Sequence, residues 1–206
     1  KVPNLKPYVF DSIISTTDVE HWSKQRSEYQ PAFSMNNSLK PLIPISNKRA
    51  KKCVDILFEL SEGLTREVEI NDFFLNETHA QLQLAMFGFS DKFQEENNKE
   101  IRCTFSGKNQ EYGKVIVPNL LEEVNKSNGP LSKAIKERSS EKKTKLETPG
   151  NALIFSYAGH DTTGNTLTWL IYELSKNQGL QQELYKEVQQ FWDEQKDREI
   201  EYLDFK

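Results

Sequence analysis

Cysteine is scarce. Two occur in 206 residues, Cys53 and Cys103, at no spacing that suggests a zinc site, and so low a count suits a reducing compartment. Long apolar runs are missing as well. No stretch of about 18 apolar residues is present, which excludes a transmembrane span within these residues, and no signal-peptide pattern opens them. Basic excess is also lacking: 27 Lys and Arg stand against 31 Asp and Glu, a net charge of −4. That balance argues against nucleic acid as a partner. With 36% hydrophobic residues and a mean hydropathy of −0.72, the chain reads as polar and soluble, with room for one or two domains. No internal repeat occurs. The first residue is Lys1 rather than Met, from which an upstream natural N-terminus is expected. The Asn-x-Ser/Thr triplets at Asn36, Asn76 and Asn125 are read as chance.

What is there is centred on Asn151 to Asn177. Leu153, Ile154 and Tyr157, then Leu167, Leu170, Ile171 and Leu174, recur at the spacing of a helix face. Pro149-Gly150 is a start signal, and Asn177 with Gln178-Gly179 a stop. About 27 residues at 1.5 Å each give a helix of roughly 40 Å. Its middle, Ala158-Gly159-His160-Asp161-Thr162-Thr163-Gly164, departs from a plain core helix. Two glycines cost about 1 kcal/mol each against alanine, and threonine hydroxyls can bond the preceding turn and bend the helix. A helix weakened and polar at its centre suggests a site.

In chain order, Thr16-Thr17-Asp18 caps a helix over Val19 to Gln30, which Pro31 ends. Trp22 and Arg26, four apart, share a face. Ser46 to Glu62 reads as a helix with Ala50, Val54, Leu57, Phe58 and Ser61 inside, and Lys48, Arg49, Lys51 and Lys52 on a solvated face; Gly63 ends it. Asn71-Asp72 opens a helix through Phe74, Thr78, Leu82 and Met86, stopped by Gly88. His79 reads as a hydrogen-bonded structural histidine. From Ser90 to Thr148 the pattern is weak: Gln94 to Glu100 reads as solvated, Val115 to Val117 as a short run stopped by Pro118, and Lys136 to Glu147 as a linker. Leu180, Leu184, Val188 and Phe191-Trp192 form the apolar stripe of a last helix.

Ala-Gly-x-Asp-Thr-Thr at Ala158 to Thr163 resembles the oxygen-activation motif of cytochrome P450 monooxygenases. Trp22-x-x-x-Arg26 followed by Pro31-Ala32-Phe33-Ser34 resembles that family's Trp-x-x-x-Arg helix and the turn behind it. Leu180 to Val188 resembles the helix after the oxygen helix, with Gln178 where a Pro is usual, and Thr78-His79-Ala80 stands where members often carry Thr-Leu-Asp. The resemblance implies a mainly α fold, the helical portion of the P450 domain. On this reading 1–206 is part of a single domain, with 90–149 its poorly aligned roof. It further implies haem (heme, iron protoporphyrin IX), electrons from NADPH through a redox partner (a reductase or ferredoxin), and a small lipophilic substrate. A membrane anchor upstream of Lys1 is compatible with it. The location would be the cytoplasmic face of the endoplasmic reticulum for a eukaryotic-type member and the cytoplasm otherwise. Thr162 and Asp161 would be catalytic, Thr162 as hydrogen-bonding hydroxyl and Asp161 as proton relay. Trp22 and Arg26 would hold a haem propionate. Ala158 would leave room beside Thr162, Gly159 would permit helix distortion, and His160 would point outward.

Two parts of the family's pattern do not occur. No Arg is preceded three residues earlier by Glu, and neither Cys53 (Ala-Lys-Lys-Cys-Val-Asp) nor Cys103 (Glu-Ile-Arg-Cys-Thr-Phe) sits in a loop like that of the axial thiolate. The chain is therefore expected to be an internal portion of such an enzyme, inactive by itself. The alternative is a degenerate P450-like helical protein with a structural or interaction role.

Overall fold

The computed structural model describes residues 9–34, 36, 38, 40–105, 110–140 and 147–195. These residues are mainly α, with no strand among them. Helix α1 spans Val19–Tyr29, and the Asp18 carboxylate caps it by accepting from the amides of Glu20 and His21. A 3₁₀ turn, Gln30–Phe33, follows with Pro31 in its first positions and Ala32 buried.

Helix α2, Lys40–Leu60, starts earlier than the sequence pattern placed it and contains Pro44. That proline stands within the first five positions, so its missing N–H forfeits a single ladder bond. Of the expected inner stripe, Ser61 is buried and Leu57 half-buried, whereas Ala50, Val54 (68%) and Phe58 (57%) are exposed. Arg49, assigned to the solvated face, is buried, and its Nε donates to Glu77 Oε1 at 2.7 Å. Ser46 Oγ bonds Gln81 on the same side. Once Glu77 is buried on the facing helix, leaving it without Arg49 would be costly, so the two are held together. The helix face follows that ion pair.

Helix α3, Ile70–Leu82, is capped by Glu69 and runs into a π turn, Gln83–Phe87, that stops at left-handed Gly88. Helix α4, Asp91–Phe105, replaces the expected solvated stretch at Gln94 to Glu100. Gln94, Asn98 and Ile101, spaced by four and three, are its buried face, and a face two-thirds polar escapes an apolar-periodicity test. Helix α5, Gln110–Lys126, continues through Pro118, where the sequence pattern suggested a stop. Helix α6, Pro130–Ser140, takes in the first part of the expected linker, because Leu131, Ile135 and Arg138 are all buried.

Helix α7, Glu147–Lys176, is the axis of the fold: 30 residues, about 45 Å. Its first turns enter the core at Ala152 and Leu153, among Tyr29, Met86, Phe87, Ile101, Leu120 and Leu131, and Ile154 beside them is buried too. Its main partner is α3. Asn177 alone separates it from α8, Gln178–Gln195, and Gly179 lies inside α8 instead of ending α7. The stripe on α8 forms as expected, yet Leu180, Leu184, Val188 and Trp192 remain exposed among the described residues. No helix among the described residues is long and apolar enough to cross a membrane.

Candidate functional site

The middle of α7 has two dissimilar sides. One packs on α3, and its glycines are explained there. A Cβ on Gly164 would stand 2.9 Å from Leu75 Cα and 3.0 Å from Leu75 N, and one on Gly159 would stand 2.6 Å from both Leu82 Cδ atoms. The expected distortion does not occur: α7 is regular α-helix throughout. Close approach of the α3 backbone accounts for Gly164, and the Leu82 side chain packed against the helix accounts for Gly159.

His160 lies on this packed side and is 4% exposed, which overturns the outward placement. Its Nδ1–H donates to Ser156 O at 2.9 Å, and its ring lies 4.7 Å from that of His79. His79 is a structural histidine. Asn98 Nδ2 donates to Asn76 O and Oδ1, so Asn98 Oδ1 is left to accept from His79 Nδ1–H, while His79 Nε2 faces the amide of Gln83. Burial first, and the His160 ring next, pushes the His79 imidazole down to about 3; burial lowers His160 as well. Thr78 Oγ1 reaches His160 O at 3.1 Å, and Asn71 Nδ2 reaches Asn165 Oδ1 at 3.0 Å. These bonds lock α3 to α7.

The other side carries Asn151, Phe155, Ala158 and Thr162, spaced four, three and four apart and hence on one face. Helix α1 covers the start of this face: Asn151 Nδ2 donates to Gln25 Oε1 at 3.1 Å, and the Tyr29 ring meets Phe155 edge-on at 4.9 Å. Beyond Phe155 the face is exposed, and its side chains are small: Ala158, then Thr162. The Thr162 hydroxyl donates to Ala158 O at 3.1 Å and keeps both lone pairs for other donors. Asp161, half-buried beside it, accepts from Asn165 Nδ2 at 3.3 Å and holds the Tyr157 hydroxyl, whose pKa is raised by burial and then by that carboxylate.

Trp22 and Arg26 stand together on α1, the guanidinium carbon 5.6 Å from the indole centroid, a cation–π distance. Arg26 is exposed and has no carboxylate partner among the described residues. The structure thus brings the Trp22/Arg26 helix and the Ala158/Thr162 face to one side of α7, though no hydrogen bond or ion pair joins the two pairs among the described residues. Gly159 belongs instead to the α3 contact.

An arginine fork beside an indole N–H suits an acidic group, and a face of methyl and hydroxyl groups suits a flat apolar ligand with a polar centre. Cys53 lies half-buried on α2, where burial and then Glu77 push its thiol up to about 11; the Cys103 side chain lies outside the described residues. No cluster of three metal-binding side chains occurs among the described residues.

Sequence reading missed a buried polar cluster at the start of α7. Arg138 on α6 bridges Glu28 of α1 and Glu147 of α7, and Tyr29 beside it has its phenol pKa raised by burial and then by Glu147. These polar residues carry no periodic apolar signal, and their partners are up to 110 residues apart.

The family model for cytochrome P450 matches residues 120–206, the stretch that holds α6, α7 and α8. The mitochondrial sterol 26-hydroxylase of Rattus norvegicus is 55% identical over 42 residues, which are 20% of this chain and 8% of that protein. The chain thus matches only a small part of that relative's length. The exposed Ala158/Thr162 face lies inside the matched stretch, so it is this part of the chain, residues 120–206, that is similar to the cytochrome P450 family.

Proposed function

We propose that this chain is part of a haem-dependent monooxygenase that hydroxylates a lipophilic organic substrate, with electrons from NADPH delivered by a reductase or ferredoxin partner. The carrying observation is the exposed Ala158/Thr162 face of α7, continuous with the surface that α1 covers. Haem, when bound, supplies the redox iron at which dioxygen is activated. Arg26 and the Trp22 N–H would hold its acidic groups. Ala158 would keep the face low enough for substrate to approach. The Thr162 hydroxyl, tied to Ala158 O by a single 3.1 Å bond, is free to accept one proton donor and pass its own proton on. Asp161 would resupply that proton from its carboxylate, oriented by Asn165. A lipophilic substrate accords with the sterol named for the rat relative. Neither Cys53 nor Cys103 sits in a loop like that of the axial thiolate, so on this reading the 206-residue chain alone would be inactive.

The test is Thr162→Ala in a longer haem-loaded protein carrying this segment. The expected outcome is an unchanged melting temperature with less product per NADPH oxidised and more peroxide. Asp161→Asn should slow turnover, since acid–base steps contribute about 10²–10⁴-fold. An unchanged product ratio with a lower melting temperature in Thr162→Ala would reduce the motif to helix packing.

A further inference from the structure

Gln25 and Asn151 are both 0% exposed, and the bonds around them run in one direction only. The backbone N–H of Ile13 donates to Asn151 Oδ1 at 2.7 Å. An amide nitrogen can only donate, so it fixes which end of the Asn151 side chain is oxygen. Asn151 Nδ2 must then be the donor to Gln25 Oε1, at 3.1 Å. Gln25 Nε2 in turn faces His21 Nε2 at 2.8 Å and must donate to it. His21 is therefore an acceptor at Nε2 and carries its proton at Nδ1. The same His21 nitrogen lies 3.2 Å from Glu147 Oε2, a buried oxygen with no hydrogen-bond donor among the described residues; a proton on Nε2 would serve that carboxylate, so Gln25 and Glu147 compete for this nitrogen.

His21 and Gln25 immediately precede Trp22 and Arg26 in α1. Tyr29 against Phe155 supplies apolar contact at the end of α1, but such a contact permits the helix to roll. The relay resists that roll, because Asn151 is held at once by the Ile13 amide, by Gln25 and by the Tyr29 hydroxyl. We propose that Asn151 and Gln25 are positioning residues: they set the rotation of α1 on α7 and so aim Trp22 and Arg26 at the acidic groups of the cofactor. This rests on the function proposed above for Trp22 and Arg26.

The direction of the relay is testable without cofactor. Asn151→Asp keeps the size and the Ile13 bond but cannot donate. Gln25 would then turn its amide over to donate to the new carboxylate, presenting Oε1 to His21, whose Nε2 must carry the proton. In ¹⁵N-histidine NMR of the 206-residue chain at mildly alkaline pH, wild-type His21 should show a bare Nε2 and Asn151→Asp a protonated one. His79 and His160 serve as unmoved references. A protonated Nε2 in the wild type overturns the relay even if the variant does not fold, and identical His21 signals in the two proteins do the same. The second arm measures haem affinity in a longer haem-loaded protein. Arg26→Ala and Asn151→Leu should each weaken it by about tenfold, a buried charged or amide hydrogen bond being lost, with no further loss in the double variant. Normal retention in Asn151→Leu alongside loss in Arg26→Ala overturns the positioning role. Normal retention in Arg26→Ala instead removes the function assigned to that pair and leaves the relay to the NMR result.

Discussion

Replacing Gly164 by alanine tests whether the glycines of α7 are weak points or contact points. Helix propensity alone favours the substitution by about 1 kcal/mol. The new methyl would lie 2.9 Å from Leu75 Cα and 3.0 Å from Leu75 N. Ordinary carbon contacts begin near 3.4 Å or beyond, and a backbone atom cannot rotate aside. Helices α3 and α7 must therefore separate by roughly half an ångström, and such overpacking costs about 1–3 kcal/mol. The separation also stretches Thr78 Oγ1 to His160 O, now 3.1 Å, and Asn71 Nδ2 to Thr168 Oγ1, now 3.2 Å; each lost bond adds about 1 kcal/mol. The sum is a net loss of about 2–4 kcal/mol, or at least roughly 4–8 °C in melting temperature for a chain of this size. Gly159→Ala separates two kinds of clash, because its neighbours are Leu82 side-chain atoms. Leu82→Ala should relieve it, whereas Leu75→Ala should not relieve Gly164→Ala. Urea unfolding followed by far-UV circular dichroism measures both. A higher midpoint for Gly164→Ala would refute the packing account and show that helix propensity outweighs the clash.

Arg49→Ala should destabilise the chain by about 3 kcal/mol, since it strands the buried Glu77 carboxylate, while Lys48→Ala next to it should change the urea midpoint by less than about 0.5 kcal/mol. His79, held near 3 in the folded chain against 6.5, binds its proton more readily when unfolded. Stability should therefore be complete above about pH 6.5 and fall as pH drops toward 3, by up to about 1.4 kcal/mol per unit from this residue; His79→Gln should flatten that part of a midpoint-against-pH curve, and an unaltered slope would refute the assignment. Haemin added to the 206-residue chain, reduced and exposed to CO, should give no thiolate-type Soret band, because neither Cys53 nor Cys103 sits in a loop like that of the axial thiolate. Appearance of that band would give a cysteine of this chain the axial role.

Part of the candidate site was open to sequence reading because its elements are local. Ala158 and Thr162 are one turn apart, as are Trp22 and Arg26, and a four-residue spacing fixes a shared face before any tertiary contact exists. The residues that join these two turns were not legible. Gln25 and Asn151 are 126 positions apart, and the bond of Gln25 to His21 within α1 gives no sign of the contact with α7. His160 was misplaced for a similar reason: an imidazole in a polar stretch reads as solvated until the His79 ring across the interface is known.

By itself, the sequence determined the helical class, the caps at Asp18, Gly63 and Gly88, the long helix, and the paired residues within single turns. All of these rest on interactions among neighbours in the chain, in which spacing alone decides the geometry. The tertiary structure decided which way each helix faces. Arg49 turns inward because Glu77 waits on α3, and Gly164 is required because α3 lies against it. The α1 helix sits where Asn151 receives Gln25. A helix has several faces of comparable apolarity, and the choice among them is made by a buried charge, an amide or a close backbone that belongs to another part of the chain.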